Sequence, residues 1–422
     1  MILNFLGFIY FICALYTSIR HHLFKYLLVA TMLIDIFSQA YGIQIIALRL
    51  GSLTLYISDI PIILMVFFLL RTGRIYKSKI ALAWTICFLM ICCSAIRGLL
   101  EHGLNLYYLS DIRTYLSLAI PIIYFYVVPQ EFDDKFWRFL NHAFILITVY
   151  CYIAWGIYAS TGISLAFTED AGGLRVIGSN GAFYLSAYTL ILIYKYFYVR
   201  KNKKIFIQII SQILAIIILQ HNSVWAAFAI GYFSLLIFVK KENELIKNGK
   251  FNLWLLTFCA VVVFAIVFIL FSNSTIISNL ISTFDKFAQT NTGEGTIGDR
   301  QKIWSAYINS LNAIEWIIGK SMGSGWFVYA IHGMSQAPTH NAYIQGLMRI
   351  GLIGDIALFG LLISVSIKAY NRKKYASFAI MFSSFVYMYA YMFSLELSCI
   401  WGIIIGLLSG NIHYKINTGR SK

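Results

Sequence analysis

The stretch Lys79-Ile80-Ala81-Leu82-Ala83-Trp84-Thr85-Ile86-Cys87-Phe88-Leu89-Met90-Ile91-Cys92-Cys93-Ser94-Ala95-Ile96-Arg97-Gly98 has no charged residue between Lys79 and Arg97. A helix that crosses a bilayer needs about 20 mostly apolar residues. These residues therefore read as a membrane span, and the basic run Arg71-Thr72-Gly73-Arg74-Ile75-Tyr76-Lys77-Ser78-Lys79 reads as the cytoplasmic loop that feeds it. Comparable runs stand at residues 2–18, 23–38, 57–71, 112–128, 139–160, 180–198, 204–220, 223–239, 251–272, 341–367, 375–393 and 396–411. The expectation is an all-α integral membrane protein of about 12–13 transmembrane helices. The 422-residue chain agrees as a whole, with 60% hydrophobic and 12% charged residues and a mean hydropathy of +0.75; a soluble domain holds about 45–50% apolar residues. Between Tyr41 and Asp59, Arg49 interrupts the apolar pattern, and the expectation there is a short helix on the surface.

Alternating the spans from the basic loop places Arg20/Lys25, Lys135/Arg138, Arg200/Lys201/Lys203/Lys204, Lys240/Lys241/Lys247/Lys250, Arg372/Lys373/Lys374 and the tail from Lys415 inside. Counted over every inner segment and helix end, 24 of the 33 basic residues then lie inside, as the positive-inside rule asks. The inner side then holds 17 Lys and 7 Arg, the outer side 3 Lys and 6 Arg. Orientation does not require this reversal, because both cations serve it. A planar fork of donors that stays charged is instead what phosphate or carboxylate recognition asks for. The outer six are Arg49, Arg97, Arg113, Arg175, Arg300 and Arg349. The plainer account of each is snorkelling, or pairing with Glu101, Asp111, Asp170 or Asp299.

Other classes recede. Four prolines and scarce charge exclude a collagen-like, disordered or generic cytosolic chain. The net charge of +16 lies in short runs between apolar stretches, so it orients the protein and implies no nucleic acid. The seven cysteines fall in or beside apolar runs without metal or redox spacing, and no metal site or structural disulfide is expected. Met1 to Ser18 lack a basic leader and a small-residue cleavage site, which favours a retained helix. Gly319-Lys320-Ser321 ends like a nucleotide-binding P-loop, but Ile314 stands where that motif needs glycine.

One connection, 273–340, is long in an otherwise economical chain, and loops of that size are usually functional or disordered. After Gln289 to Gly298, Asp299 is placed to cap a helix with Ile303, Trp304, Tyr307, Ile308, Leu311 and Ile314 on one stripe, ending near Gly319. The stripe should lie on the membrane surface or on the bundle. Then comes Pro338-Thr339-His340-Asn341-Ala342-Tyr343-Ile344-Gln345-Gly346-Leu347-Met348-Arg349-Ile350-Gly351-Leu352-Ile353-Gly354. Thr339 or Asn341 can cap the helix that opens here, and Tyr343, Ile350 and Gly354 share a face. At the water boundary His340 is either a capping or structural residue or a proton acceptor, since imidazole titrates near neutral pH. The other histidines are weaker candidates. His332 is the one rival, while His142 and His221 should find partners in the bundle. Gly402, Gly406 and Gly410 should form a helix-packing face.

The stretch from Gly298 to Leu362 resembles the signature of the O-antigen polymerase and ligase superfamily. It has an acidic residue and arginine, a tryptophan four residues later, a glycine-rich turn, then His-Asn-x-Tyr and Gly-x-x-Gly opening a membrane helix. Gly173-Leu174-Arg175-Val176-Ile177-Gly178-Ser179-Asn180-Gly181 is similar to the arginine segment that enters a middle helix in that family. Gln220-His221-Asn222-Ser223-Val224-Trp225 resembles a third segment, where many members carry an arginine that is absent here. Many members, ligases especially, have an acidic residue where this chain has Arg349.

The resemblance implies a GT-C-like architecture with one long periplasmic loop. In outline it has N-terminal helices over 1–272, the loop over 273–340, C-terminal helices over 341–411 and a cytoplasmic tail over 412–422. The implied setting is the bacterial inner membrane, with the active site facing the periplasm. The implied activity is transfer of a glycan from undecaprenyl pyrophosphate to a sugar hydroxyl. His340 is then the general base, and Arg300 and Arg175 are the main pyrophosphate ligands. Arg49, Arg97, Arg113 and Arg349 form an electrostatic surround, and Asn341 and Tyr343 line the substrate. No cofactor or metal is implied; the partners are the lipid-linked oligosaccharide, the bilayer and a chain-length regulator protein. Arg349 and the weakly patterned N-terminal part favour a polymerase. A ligase acting on lipid A-core is the alternative, and a flippase or transporter is less favoured because no internal repeat is present.

Overall fold

The computed structural model describes residues 2–40, 45–50, 53–72, 79–163, 176–239, 248–249, 251–254, 257, 295–325 and 339–415. Among them the chain is mostly helical. In order the elements are α1 (Ile2–Ile19), α2 (Phe24–Ala40), β1 (Ile46–Leu50), β2 (Leu53–Tyr56), α3 (Asp59–Thr72), α4 (Lys79–His102), α5 (Leu106–Val127), β3 (Gln130–Asp133) and α6 (Asp134–Thr161). They continue with α7 (Ser179–Tyr194), α8 (Lys203–Ile218), α9 (Asn222–Phe238), α10 (Gly295–Asn309), α11 (Ala313–Ile318), α12 (Ala342–Asn371), α13 (Tyr375–Met388), α14 (Leu395–Ser409) and β4 (Ile412–Lys415). Four described stretches are long and apolar enough to cross a membrane: Leu82–His102, Asp134–Tyr158, Ser179–Val199 and Ala342–Asn371. Large apolar side chains such as Leu70, Leu100 and Ile356 stand 79%, 80% and 64% exposed. Exposed large apolar side chains recur along most of the described helices, more than a protein in water presents, so they fit a helical protein surrounded by lipid.

The chain divides into two compact units. The first comprises Met1–Phe144, Ile303–Lys368 and Met388–Lys422. Its spine is α14 laid along α5. A Cβ at Gly402 would come 2.6 Å from Pro121 O, and one at Gly406 would come 2.6 Å from Phe125 O. These two glycines are the close-packing face that the sequence suggests. Gly410 instead ends α14 in a left-handed conformation, φ 85°. Beyond that end β3 and β4 pair in parallel, Gln130 opposite Ile412 and Asp133 opposite Lys415. The buried Lys25 ties them to α2, donating to Glu131 O at 2.5 Å and to Asp133 Oδ1 at 3.0 Å.

The second unit comprises Ile145–Lys302 and Ala369–Tyr387. Its centre is α7, buried without a break from Gly181 to Leu190. A helix apolar on all sides has no polar face to offer water. Thr189 Oγ1 donates to Gln212 Oε1 of α8 at 2.9 Å, and Tyr387 donates to Asn180 Oδ1 at 2.6 Å while stacking on Phe183.

The structure departs from the expected elements in four places. Ile46–Leu50 and Leu53–Tyr56 pair as antiparallel strands, where a short surface helix is expected. Leu50 lies opposite Leu53, and the sequence Leu50-Gly51-Ser52-Leu53 carries a hairpin signal that outweighs the helical reading. Helix α10 starts at Gly295, so Asp299 lies inside it and does not cap it. The expected single stripe is split by a new start at Asn312, whose side chain and that of Glu315 form a capping box; Ile314 is left 67% exposed. Lastly, α12 is no single span, because Gly351 is non-helical at φ 65°, ψ −178°. The expected span at 251–272 lies almost wholly outside the described residues.

Candidate functional site

The break at Gly351 turns α12 back on itself. In an uninterrupted helix Tyr343 and Phe359 would be about 24 Å apart, yet their ring centroids are 4.6 Å apart. A Cβ built on Gly346 would fall 1.9 Å from Asp355 Oδ1, which confirms the fold-back. Residues 342–350 thus form a short arm doubled against the longer arm 352–371. The shared face expected of Tyr343, Ile350 and Gly354 does not survive the turn. Lys320 N takes up the Met348 carbonyl, at 2.7 Å, that an unbroken helix would have used. Non-helical backbone inside an apolar protein persists where such substitutes are at hand.

The short arm is held from every side within the first unit. Trp304, Tyr307 and Leu311 pack on Ile344 and Met348, so the apolar stripe of α10 lies on this arm. Tyr115 donates to Gln345 O at 2.7 Å, and Gln345 Oε1 accepts from Phe393 N at 2.9 Å. Asn341 is the cap: its Oδ1 accepts from Ile344 N at 3.1 Å and its Nδ2 donates to Tyr389 O at 3.1 Å.

His340 sits at the head of this arm, half-buried, with φ 46°. Residues other than glycine seldom adopt positive φ, histidine being among those enriched there, and such strain gathers at functional sites. Both neighbours are fixed, Asn341 as described and Thr339 through its carbonyl, which accepts from Trp304 Nε1 at 2.5 Å. The Thr339 hydroxyl is enclosed with no hydrogen-bond partner among the described residues, another feature that asks for an explanation.

The loop Gly319 to Gly325 closes the site against α4 and α5. A Cβ at Gly98 would come 2.1 Å from Met322 O, and Gly319 at φ 78° lies against the Arg349 backbone. Gly323 N donates to Asp111 Oδ2 at 3.0 Å. Arg349 is fully enclosed, 0% exposed. Its Nη2 lies 3.0 Å from Asp111 Oδ2 and donates to Gly325 O at 2.9 Å, while Nη1 donates to Ser324 Oγ at 2.6 Å and to Ser321 O at 3.2 Å. With both terminal nitrogens engaged, Arg349 holds the loop and presents no fork outward.

The other outer arginines differ among themselves. Arg97 donates to Gly319 O at 3.1 Å and faces Glu101 at 3.8 Å. Arg113 donates to Thr54 O at 2.5 Å, pairs with Asp59 at 3.4 Å and lies over the Tyr56 ring. Thus pairing with Glu101 and Asp111, the plainer account, describes Arg97 and Arg349. Arg49 is exposed on β1, and Arg300 is half-buried on α10, one helical turn before Trp304. Tyr343 rests on Phe359. Arg175, Asp170 and His332 lie outside the described residues. His221 does find a partner in the second unit, Ile177 O at 2.9 Å. Among the described residues no cluster of His, Cys, Asp or Glu is arranged to hold a metal.

Comparison with models of known protein families and with curated proteins finds no match.

Proposed function

We propose that the chain is a membrane glycosyltransferase that extends a surface polysaccharide, moving a glycan from an undecaprenyl pyrophosphate carrier to the terminal sugar of a lipid-linked repeat unit. The observation that carries this reading is His340, at a positive-φ position between two anchored neighbours at the head of a doubled-back helical arm, in the same residues that resemble the O-antigen polymerase signature. A backbone fixed on both sides of the residue limits where its imidazole can reach, and proton abstraction asks for a positioned base.

In the reaction the acceptor hydroxyl oxygen attacks the anomeric carbon of the donor, and the bond from that carbon to the pyrophosphate oxygen breaks. The hydroxyl proton passes to His340. The electron pair leaves with undecaprenyl pyrophosphate, whose growing charge Arg300 and Arg175 stabilise. Arg49 adds long-range attraction from the hairpin. Arg349 and Arg113, bound up in the scaffold, position the loop and the hairpin. The site faces the periplasm, and the lipid pyrophosphate supplies the driving force.

Detergent-purified protein given the host's own undecaprenyl-pyrophosphate-linked repeat units, and nothing else, should produce a ladder of longer chains. If chains are transferred only once lipid A-core is added, the protein is a ligase and the polymerase reading fails.

A further inference from the structure

At the end of α4 three side chains carry polar atoms that make no hydrogen bond among the described residues. Arg97 uses Nη1 on Gly319 O, and its Nε stands 3.8 Å from Glu101 Oε1. Glu101 Oε2 accepts from Ser321 Oγ at 2.5 Å, and His102 Nε2 lies 3.0 Å from the same hydroxyl. Ser321 is 4% exposed, so the anchor is internal. The side chains of Arg97, Glu101 and His102 are 26%, 49% and 31% exposed. Their remaining atoms are Arg97 Nη2, Glu101 Oε1 and His102 Nδ1: a donor and two acceptors, since Ser321 gives its proton to Glu101 and takes a hydrogen bond from His102 Nε2, which leaves Nδ1 of a neutral ring to accept.

This is not a hydrolase triad. Glu101 Oε2, 3.6 Å from His102 Nε2, and the Ser321 hydroxyl address the same ring nitrogen, leaving Nδ1 without the carboxylate that would orient it. A diphosphate is also a poor fit, because Glu101 would repel it. A neutral polyol satisfies all three groups at once. Leu100, Leu104 and Leu106, 80%, 74% and 82% exposed, put the trio at the margin of an apolar surface, within reach of the sugars of a single short lipid-linked repeat unit.

We infer that Arg97, Glu101 and His102 form a recognition site for the hydroxyls of the acceptor sugar, fixed from behind by Ser321. The inference rests on the transferase reading, since it names a subsite for that reaction. Saturation-transfer NMR on the detergent-solubilised full chain tests it, using as probe the oligosaccharide repeat released by mild acid from the host's lipid-linked intermediates. Wild type should transfer saturation to the sugar ring protons. Glu101→Ala should weaken binding by about tenfold, the scale of a hydrogen bond to a charged group, and His102→Ala by about fivefold, the scale of a neutral one. Glu101→Gln, which keeps the shape and one acceptor, should recover part of it. Equal signals from wild type and both alanine variants, or no signal from wild type, would overturn the inference. Because binding is read without turnover, a protein that binds and loses binding as described, yet never elongates a chain, would refute the transferase reading and leave the sugar site standing.

Discussion

Removing the Arg349 guanidinium leaves the Asp111 carboxylate enclosed without its counter-charge, and breaking one side of a buried pair costs about 3–5 kcal/mol. Arg349→Met should therefore lower the thermal unfolding midpoint in detergent markedly, and Arg349→Lys should lower it too, because an ammonium cannot reach Asp111, Ser324, Ser321 O and Gly325 O together. An unchanged midpoint in both would show that the loop is held some other way. At the other end of α5, burial pushes the Asp133 carboxyl up, but the hydrogen bonds from Lys25 and the Phe136 amide outweigh it and hold the group below its ordinary range. The stability this contributes is present above the ordinary carboxylate pKa and is lost as pH falls through the depressed value. Asp133→Asn should remove that part of the acid sensitivity, as urea unfolding followed from neutral to acid pH would reveal. The sequence named Glu101 and Asp111 among the partners available to the outer arginines. It could not say which arginines serve the scaffold, because that depends on neighbours such as Gly319 for Arg97, far apart along the chain.

The doubled-back α12 depends on one residue. A Cβ at Gly351 would stand 2.3 Å from Ile317 O, and its φ of 65° is one that side chains resist. Gly351→Ala should cost at least the strain of a positive-φ, extended backbone, about 1–3 kcal/mol, and should abolish transfer along with it, measured by thermal unfolding and chain elongation on the same preparation. Full activity would mean that the arm need not be folded back. Nothing in the apolar run 341–367 announces a reversal, since a glycine inside such a run is equally compatible with a straight helix; the contact of Tyr343 with Phe359 is what decides it. The pairing of β1 with β2 was more legible, because Leu-Gly-Ser-Leu between short apolar strands carries a turn signal. The helix at Asn312 was legible as well, through Asn312 and Glu315.

For the whole molecule, composition and the length of the apolar runs were enough to read a helical membrane protein, because bilayer thickness sets helix length directly. The division into two units, with α13 in one and α14 in the other, left no mark in the sequence, since it arises from packing between distant segments. Orientation has its own test, in a background with the native cysteines replaced. Cysteine at the exposed Leu104 should react with a membrane-impermeant maleimide in intact cells, and cysteine at the exposed Lys135 only after permeabilisation. The reverse pattern would put the candidate site on the cytoplasmic side. The most direct test of the central claim, that His340 accepts the proton in glycan transfer, is elongation by the His340→Ala variant in proteoliposomes supplied with lipid-linked repeat units. The expected result is no ladder from protein whose thermal midpoint matches wild type; a full ladder from that same protein would contradict the claim.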